Sequence, residues 1–140
     1  MSDSWRPLPV ITRDSEAFWA STRAHEMRLQ RCARCRKFRF YPSEACHFCA
    51  SLEYEWIPIS GKGTIHTWSV LERAKGTPYE HHTPIAIILV ELEEGPIVMS
   101  NLIDYEEQDL AIDRRVTIDY EDVTDEVTVF VFRPEHAAGG

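Results

Sequence analysis

The second half of the chain alternates between apolar and polar residues, which is the pattern of β-strands that bury one face. Five segments are predicted to be strands, and turns or loops separate them. The first and fourth alternate, whereas the second contains an unbroken apolar run with the length of a buried strand. The segments are residues 64–73, 84–93, 97–103, 116–121 and 127–134. In the first segment, the alternation places His66 and Trp68 on one face and Ile65 and Thr67 on the other. Short turns and one longer connection, between the third and fourth segments, predict a five-stranded Greek-key barrel, the OB-fold.

Ahead of the barrel, the sequence predicts one helix over residues 15–29. Asp14 or Ser15 can cap its start, and an acidic residue follows in the first turn, where the helix dipole favours it. Phe18 and Trp19 are adjacent, so they do not both face one narrow apolar stripe. Two interpretations of Trp19 stay open: an ordinary contact with the body of the domain, or an anchor in a partner protein.

Four cysteines, the only ones in the chain, form two short pairs between the helix and the barrel. Cys32 and Cys35 form one pair and Cys46 and Cys49 the other, with two residues inside each pair and ten residues between the pairs. A Cys-x-x-Cys turn points two sulfurs at one centre, and two such turns make the tetrahedral cage that Zn²⁺ prefers. The spacing therefore predicts a zinc-stabilised ribbon over residues 30–53. Because all four ligands come from the protein, the metal is expected to be structural.

Two other uses of the cysteines are open but less favoured. Two disulfides would suit a secreted protein, but the chain starts without an apolar signal segment, so we expect a cytoplasmic protein with reduced thiols. A redox Cys-x-x-Cys pair normally opens a helix after a strand and does not occur twice. Both arguments favour metal binding.

The composition is that of a globular protein, with 44% hydrophobic and 27% charged residues in a chain of 140. No apolar run approaches the roughly 20 residues that span a bilayer. We expect three parts: an N-terminal arm and helix over residues 1–29, the ribbon over 30–53, and the OB-fold over 54–136.

The net charge of −8 is unevenly distributed along the chain. Residues 23–39 hold seven of the fifteen basic residues, whereas residues 91–140 hold fourteen acidic residues and three basic ones. The basic residues near the cysteines either balance the 2− charge of a zinc tetrathiolate or meet an anionic ligand or an acidic partner surface. The sequence leaves both interpretations open.

The order of the motifs resembles a known family, the OB-fold proteins with an N-terminal rubredoxin-like zinc ribbon that accompany acyl-CoA enzymes. The matching segments are residues 14–19, 29–35, 40–42, 46–49, 55–56, 61–64, 84–92, Gly95 and 116–118. Two positions depart from the family, which usually has glycine where this chain has Arg36 and Asp113. Both positions are expected to need a positive φ. The implied fold class is mainly β, with an N-terminal helix, a rubredoxin-like zinc ribbon and a C-terminal five-stranded OB-fold barrel.

The resemblance implies a non-catalytic accessory subunit of a thiolase-like enzyme (a thiolase, aldolase or synthase) that acts on CoA thioesters, in a hetero-oligomer. Zinc is the implied cofactor, and the resemblance leaves room for contact with the acyl-CoA. The residues agree with a non-catalytic role. The four cysteines are assigned to metal, and the sequence has no Gly-x-Ser-x-Gly elbow and no glycine-rich phosphate loop.

The candidate partner contacts are Phe18, Trp19 and Tyr79, the last of these in the turn-rich loop 74–83. Arg23 and Arg28, five residues apart on the predicted helix, are candidates for contact with carboxylates or with the phosphates of CoA.

Adjacent histidines in loop 74–83 leave two interpretations. His81 and His82 either face solvent or an interface, or bind a second metal ion with Glu80.

The alternative function is a single-stranded nucleic-acid-binding module, because zinc ribbons and OB-folds both occur in such proteins. An OB-fold that binds nucleic acid needs a basic groove with stacking aromatics. Here the barrel half is acidic and would repel phosphate, so only the basic ribbon favours this alternative.

Overall fold

The computed structural model describes residues 6–135, and strands predominate, as the sequence predicts. The elements in this part of the chain are α1 (Glu16–Arg23), β1 (Arg28–Cys32), β2 (Phe38–Arg39), β3 (Tyr54–Pro58), β4 (Lys62–Leu71), β5 (Ile85–Leu92), β6 (Ile97–Leu102), β7 (Arg115–Asp122) and β8 (Thr128–Pro134). A 3₁₀ turn at Glu107–Asp109 lies between β6 and β7. The predicted fold class is confirmed. Residues 1–5 of the predicted N-terminal arm and residue 136 of the predicted OB-fold lie outside the residues that the structure describes.

Strands β4 to β8 close into the predicted barrel. Their order is β4-β5-β6-β8-β7, and β7 pairs with the first residues of β4 to complete the circle. Neighbouring strands are antiparallel except β6 and β8, which are parallel. Ile65, Ile88, Val116 and Phe132 are fully buried in the core. Each such side chain stabilises the barrel by about 1.5–3 kcal/mol relative to leaving it exposed.

A β-bulge in β4 changes the faces that simple alternation predicts. The register of β4 against β5 shifts between Ile65 and Thr67, so His66 is an extra residue in the ladder. After the shift, Trp68 lies opposite the buried Ile88, on the same side of the sheet as Ile65. The prediction that Trp68 and Ile65 lie on different faces of the sheet is therefore wrong, because one extra residue reverses the alternation.

Gly63 lies inside β4, where the backbone of β5 comes unusually close. A Cβ atom at this position would lie 2.5 Å from the carbonyl oxygen of Glu91 and 2.7 Å from a methyl carbon of Val90. Glycine avoids both contacts, which is the usual reason for a glycine in the interior of a strand.

The ribbon is a three-stranded sheet in the order β2-β1-β3. β1 pairs with β3 along its whole length, from Arg28 opposite Pro58 to Cys32 opposite Tyr54. Residues 54–58, which the sequence analysis assigned to the OB-fold, therefore complete the sheet of the ribbon, and the barrel starts with β4.

The helix is about half as long as predicted. α1 ends at Arg23, and His25 takes a left-handed backbone conformation, with a φ of 57°, that turns the chain into β1. The Ser21 hydroxyl accepts the N–H of Arg28 at 3.0 Å and ties the start of β1 to the helix. The predicted helix over residues 15–29 is therefore wrong beyond its first half, because hydroxyl side chains that bond to the backbone favour a helix end. No helix within residues 6–135 is long and apolar enough to cross a membrane.

The helix joins the ribbon and the barrel through one shared core. Phe18 is fully buried. The centroid of its ring lies 5.8 Å from that of Phe40 in the ribbon and 6.3 Å from that of Phe130 in β8. Met27 and Leu29 are buried in the same cluster. The apolar side of the helix therefore packs against both the ribbon and the barrel.

A polar contact also fastens the turn after α1 to β7. His25 stacks on the ring of Tyr120, with centroids 4.9 Å apart, and its Nε2 lies 2.8 Å from Oδ1 of Asp122. The Tyr120 hydroxyl accepts the N–H of Met27 at 2.8 Å. The hydrogen bond to His25 holds the pKa of Asp122 below its usual range.

Candidate functional site

Two similar turns present the four cysteines in the ribbon. The N–H of Arg36 donates to the carbonyl of Cys32, and the N–H of Ala50 donates to the carbonyl of Cys46, both at 2.9 Å. Arg36 and Ala50 both take left-handed conformations, with φ of 67° and 64°. The turns are thus equivalent, and the positive φ predicted at Arg36 is confirmed. Ala50 occupies the same position in the second turn, which the sequence analysis did not foresee.

The positions of the sulfurs fit one tetrahedral metal ion. The sulfurs of Cys32 and Cys49 are 3.5 Å apart, those of Cys35 and Cys46 are 3.6 Å apart, and all four lie within 4.8 Å of one another. Four sulfurs held about 2.3 Å from one zinc ion would be separated by about 3.8 Å. Residues 6–135 contain no second group of three or more side chains placed in this way. The donor set and its spacing therefore fit zinc.

Backbone N–H groups favour the thiolate form of two of the sulfurs. The N–H of Cys35 lies 3.4 Å from the sulfur of Cys32, and the N–H of Phe48 lies 3.4 Å from that of Cys46. They hold the pKa of Cys32 at about 6 and the pKa of Cys46 below its usual range. The N–H of Lys37 acts in the same direction on Cys35, but burial and the neighbouring sulfurs outweigh it and raise the pKa of Cys35 to about 11. Deprotonation of the whole cluster is thus unfavourable unless a cation binds to it.

A second concave feature is a groove of about 390 Å³ on the barrel. Its apolar lining includes Ile87 of β5, Met99 of β6 and Phe130 of β8, together with Trp19 and Tyr79. OB-folds usually bind their ligands on the second and third barrel strands, here β5 and β6, and on the loop between the first two, which carries Tyr79. Because the lining is mostly apolar, the groove suits an apolar group better than a phosphate backbone.

Both parts of the chain match models of known protein families. Residues 19–55 match the ChsH2 rubredoxin-like zinc ribbon domain, and residues 56–121 match the ChsH2 C-terminal OB-fold domain. A DUF35 domain-containing scaffold protein of Methanothermobacter thermautotrophicus is 31% identical over 98 residues, which make up 69% of this chain and 72% of the relative. The chain belongs to the ChsH2/DUF35 family. The resemblance seen in the sequence is thereby confirmed.

Two further similarities bear on the role of this ChsH2/DUF35 chain. A protein of Thermomonospora curvata, named a probable enoyl-CoA hydratase alpha subunit, is 30% identical over 129 residues, which make up 92% of this chain. The chain spans 40% of the length of that relative. The solved structure described as "Ltp2-ChsH2(DUF35) aldolase" contains a chain that superposes with a TM-score of 0.81 at 28% identity, covering 91% of this chain and 98% of that one.

Two of the partner candidates in this ChsH2/DUF35 chain are buried. Phe18 is fully buried and Trp19 is 8% exposed, and their rings pack edge to face with centroids 5.0 Å apart. Phe130 of the barrel also packs on Phe18, so the ribbon and the barrel together cover this apolar area. A role for these two residues in partner binding stays a prediction.

Arg23 and Arg28 do not share a helix. Arg23 is exposed at the end of α1 and borders a shallow groove of about 560 Å³ together with Arg13. Arg28 lies in β1, and its guanidinium pairs with Glu26 at 2.9 Å. The prediction that both residues lie on one helix is therefore wrong, because α1 ends at Arg23 and Arg28 starts β1.

The loop between β4 and β5 holds the remaining candidates. Tyr79 is half-buried and lines the apolar groove, whereas His81 and His82 are exposed. A carboxylate oxygen of Glu80 accepts the N–H of Gly76 at 3.4 Å. Among the described residues, the two histidines and Glu80 do not form a metal-binding cluster. The interpretation as a second metal site therefore lacks geometric support.

Sequence reasoning missed the apolar groove of this ChsH2/DUF35 chain because its lining comes from distant segments. One signal was present, however. The run from Ile85 to Val90 is apolar on both faces, although an antiparallel strand with one face in water usually alternates. The outward residue Met99, which is 65% exposed, extends the same surface on β6.

Proposed function

We propose that this chain is a non-catalytic accessory subunit that assembles with a thiolase-like enzyme acting on CoA thioesters. The observation that carries the proposal is its likeness, over 98% of that chain, to a chain of the Ltp2-ChsH2(DUF35) aldolase. The relatives named as a scaffold protein and as a hydratase alpha subunit agree with a role as a subunit. All four thiols of the sequence converge on one site, so none remains as an activated nucleophile. The catalytic residues are then those of the partner.

Within this proposal, Cys32, Cys35, Cys46 and Cys49 hold one Zn²⁺ ion. The ion has a structural role, because four thiolates complete its tetrahedral coordination and leave no position for water or substrate. It also supplies the positive charge that lets the whole cluster of thiols ionise. The cytoplasmic location expected from the sequence agrees with this role, since cytosolic thiols stay reduced.

The apolar groove provides a place for the acyl part of a CoA thioester. Its volume of about 390 Å³ is within the range of small-molecule sites. Trp19 lines both this groove and the neighbouring one, where Arg13 and Arg23 supply positive charge for the phosphates of CoA. Glu16 and Glu126 border the second groove and partly offset that charge.

Neither the charge of the barrel nor the lining of its groove supports the nucleic-acid alternative. Residues 54–135 hold seventeen acidic and six basic residues, so the barrel repels phosphate at long range. The groove on β5 and β6 is mostly apolar and lacks the basic track that a single strand needs.

The decisive experiment is to purify the tagged chain from its native host, to identify the protein that co-purifies in fixed stoichiometry, and to reconstitute the pair. We expect a thiolase-fold enzyme whose activity on acyl-CoA rises when the chain is added, and no turnover by the chain alone. Turnover by the isolated chain would contradict the proposal. A gel shift of single-stranded DNA that weakens steeply with salt would favour the alternative.

A separate measurement tests the groove. Octanoyl-CoA binding to the isolated chain is followed by tryptophan fluorescence, with CoA alone as the reference ligand. We expect Met99→Asp to weaken binding of the octanoyl ester and to leave binding of CoA unchanged. Ile112→Asp is the matched control, since Ile112 is also a large apolar residue, is 60% exposed and does not line the groove. Equal effects of the two substitutions would rule out the groove as the acyl site.

A further inference from the structure

Arg39 is a buried cation whose hydrogen-bond partners are neutral. It is 2% exposed in β2. Its Nε donates to Oε1 of Gln30 at 3.1 Å, and its Nη2 donates to the carbonyl oxygen of Ser43 at 2.9 Å. None of the ion pairs between described residues involves Arg39. The Nη1 atom of Arg39 is buried and has no hydrogen-bond partner among residues 6–135.

Such a charge destabilises a fold unless something nearby balances it. Arginine keeps its proton in proteins, so neutralisation is not an alternative. The ring of Tyr54, whose centroid is 4.9 Å from the guanidinium carbon, offsets part of the cost through a cation–π contact. The carboxylates of the ribbon, Glu44, Glu53 and Glu55, are exposed, whereas Cys32 and Cys46 of the cysteine cluster are buried. Four thiolates around one Zn²⁺ carry a net charge of 2−, so this cluster is the buried source of negative charge in the ribbon.

The same side chains hold the segment that leads to the second cysteine pair. Oε1 of Gln30 accepts the N–H of Ser43 at 2.9 Å, and Nε2 of Gln30 donates to the carbonyl of Ser43, also at 2.9 Å. That carbonyl accepts Arg39 as well, so Gln30 and Arg39 clamp both backbone polar groups of Ser43. Ser43 lies three residues before Cys46, and its hydroxyl donates to the carbonyl of Ala45 at 3.1 Å. The clamp therefore fixes the second pair relative to β1, which carries Cys32.

We propose that Gln30 and Arg39 are positioning residues of the metal site. The clamp holds the second cysteine pair in place, and the charge of Arg39 offsets that of the zinc tetrathiolate. The inference rests on the proposed zinc binding. It also explains why an arginine, and not an apolar residue, occupies a buried position of β2.

The test compares two substitutions in the full chain. Arg39→Gln removes the charge but keeps a side-chain donor, whereas Arg39→Lys keeps the charge but loses the planar fork. Zn²⁺ affinity is measured by competition with a chromophoric chelator, and the absorption spectrum of the Co²⁺-loaded chain reports the thiolate geometry. We expect Arg39→Gln to bind Zn²⁺ at least about tenfold more weakly and with an altered Co²⁺ spectrum. Arg39→Lys should recover part of the affinity, because it restores the charge but not both hydrogen bonds of the guanidinium. A purely structural role would not explain recovery that follows the charge.

Arg34→Gln is the matched control, because Arg34 is an exposed arginine in the first cysteine turn. We expect it to leave the affinity within about threefold of the wild type. An affinity of Arg39→Gln within the same limit would overturn the inference. If that variant fails to fold, Gln30→Glu replaces it, since the new carboxylate neutralises Arg39, and an unchanged affinity would again overturn the inference. A wild-type chain that binds neither Zn²⁺ nor Co²⁺ would contradict the zinc site itself.

Discussion

Replacement of Phe18 by alanine tests whether the N-terminal helix belongs to the core of this chain. Phe18 is fully buried, and its ring packs against Phe40 of the ribbon and Phe130 of the barrel. Truncation of a buried phenylalanine costs about 3–5 kcal/mol, because the lost contacts leave a cavity that collapses only in part. For a chain of this size we expect a loss of roughly 10–20 °C in Tm.

Urea denaturation followed by circular dichroism gives the free energy of unfolding of each variant, with zinc present throughout. Ile112→Ala is the control, since Ile112 is 60% exposed and its truncation should cost less than about 0.5 kcal/mol. Trp19→Ala distinguishes the two interpretations of that residue, because a core role lowers the Tm of the free chain and an anchor role weakens only the complex. A cost below about 1 kcal/mol for Phe18→Ala would refute the shared core.

Three further predictions concern the barrel and its link to the helix. Asp113 has a φ of 67°, so Asp113→Gly should raise the free energy of unfolding by about 0.5–1 kcal/mol, and a lower value in urea denaturation would show that the aspartate is not strained. Gly63→Ala should lower the free energy of unfolding by at least about 2 kcal/mol, since its Cβ would lie 2.5 Å from the carbonyl oxygen of Glu91. An unchanged free energy of unfolding would show that β5 can shift away from β4 at no cost in stability. The contact of Asp122 with His25 stabilises the fold above the unfolded pKa of about 4 and is lost as the pH falls through the lowered folded pKa. Asp122→Asn should therefore flatten the acid-unfolding profile below about pH 4, and an unchanged profile would exclude this linkage.

The sequence predicted the parts of the fold that depend on local pattern. The barrel strands were predicted from alternation or from an apolar run of strand length, and the spacing of the four cysteines favoured one metal-binding geometry. The positive φ expected at Arg36 and Asp113 is confirmed as well. These features were accessible because a few neighbouring residues determine each of them.

The features that the sequence did not predict depend on contacts between distant residues. The helix was extended through Leu29 because apolar residues continue there, yet pairing of β1 with β3 prevails over helix propensity. The bulge at His66 reverses the faces of β4 without a glycine to mark it. Arg39 counted as one basic residue among many, since burial and the clamp on Ser43 appear only when β1 and β2 pair.

The contact between Phe18 and Phe130 also has a consequence for synthesis on the ribosome. The two residues are more than 100 positions apart, so the helix is made long before the strand that covers it. At 5–20 residues per second, the aromatic side of the nascent helix stays without its barrel contact for on the order of 10 s. Zinc can bind sooner, because the cysteines and all three ribbon strands are complete once residue 58 has emerged. The order of translation thus favours a ribbon that binds zinc before the barrel has been synthesised. A chaperone that covers nascent apolar segments would matter most during this interval.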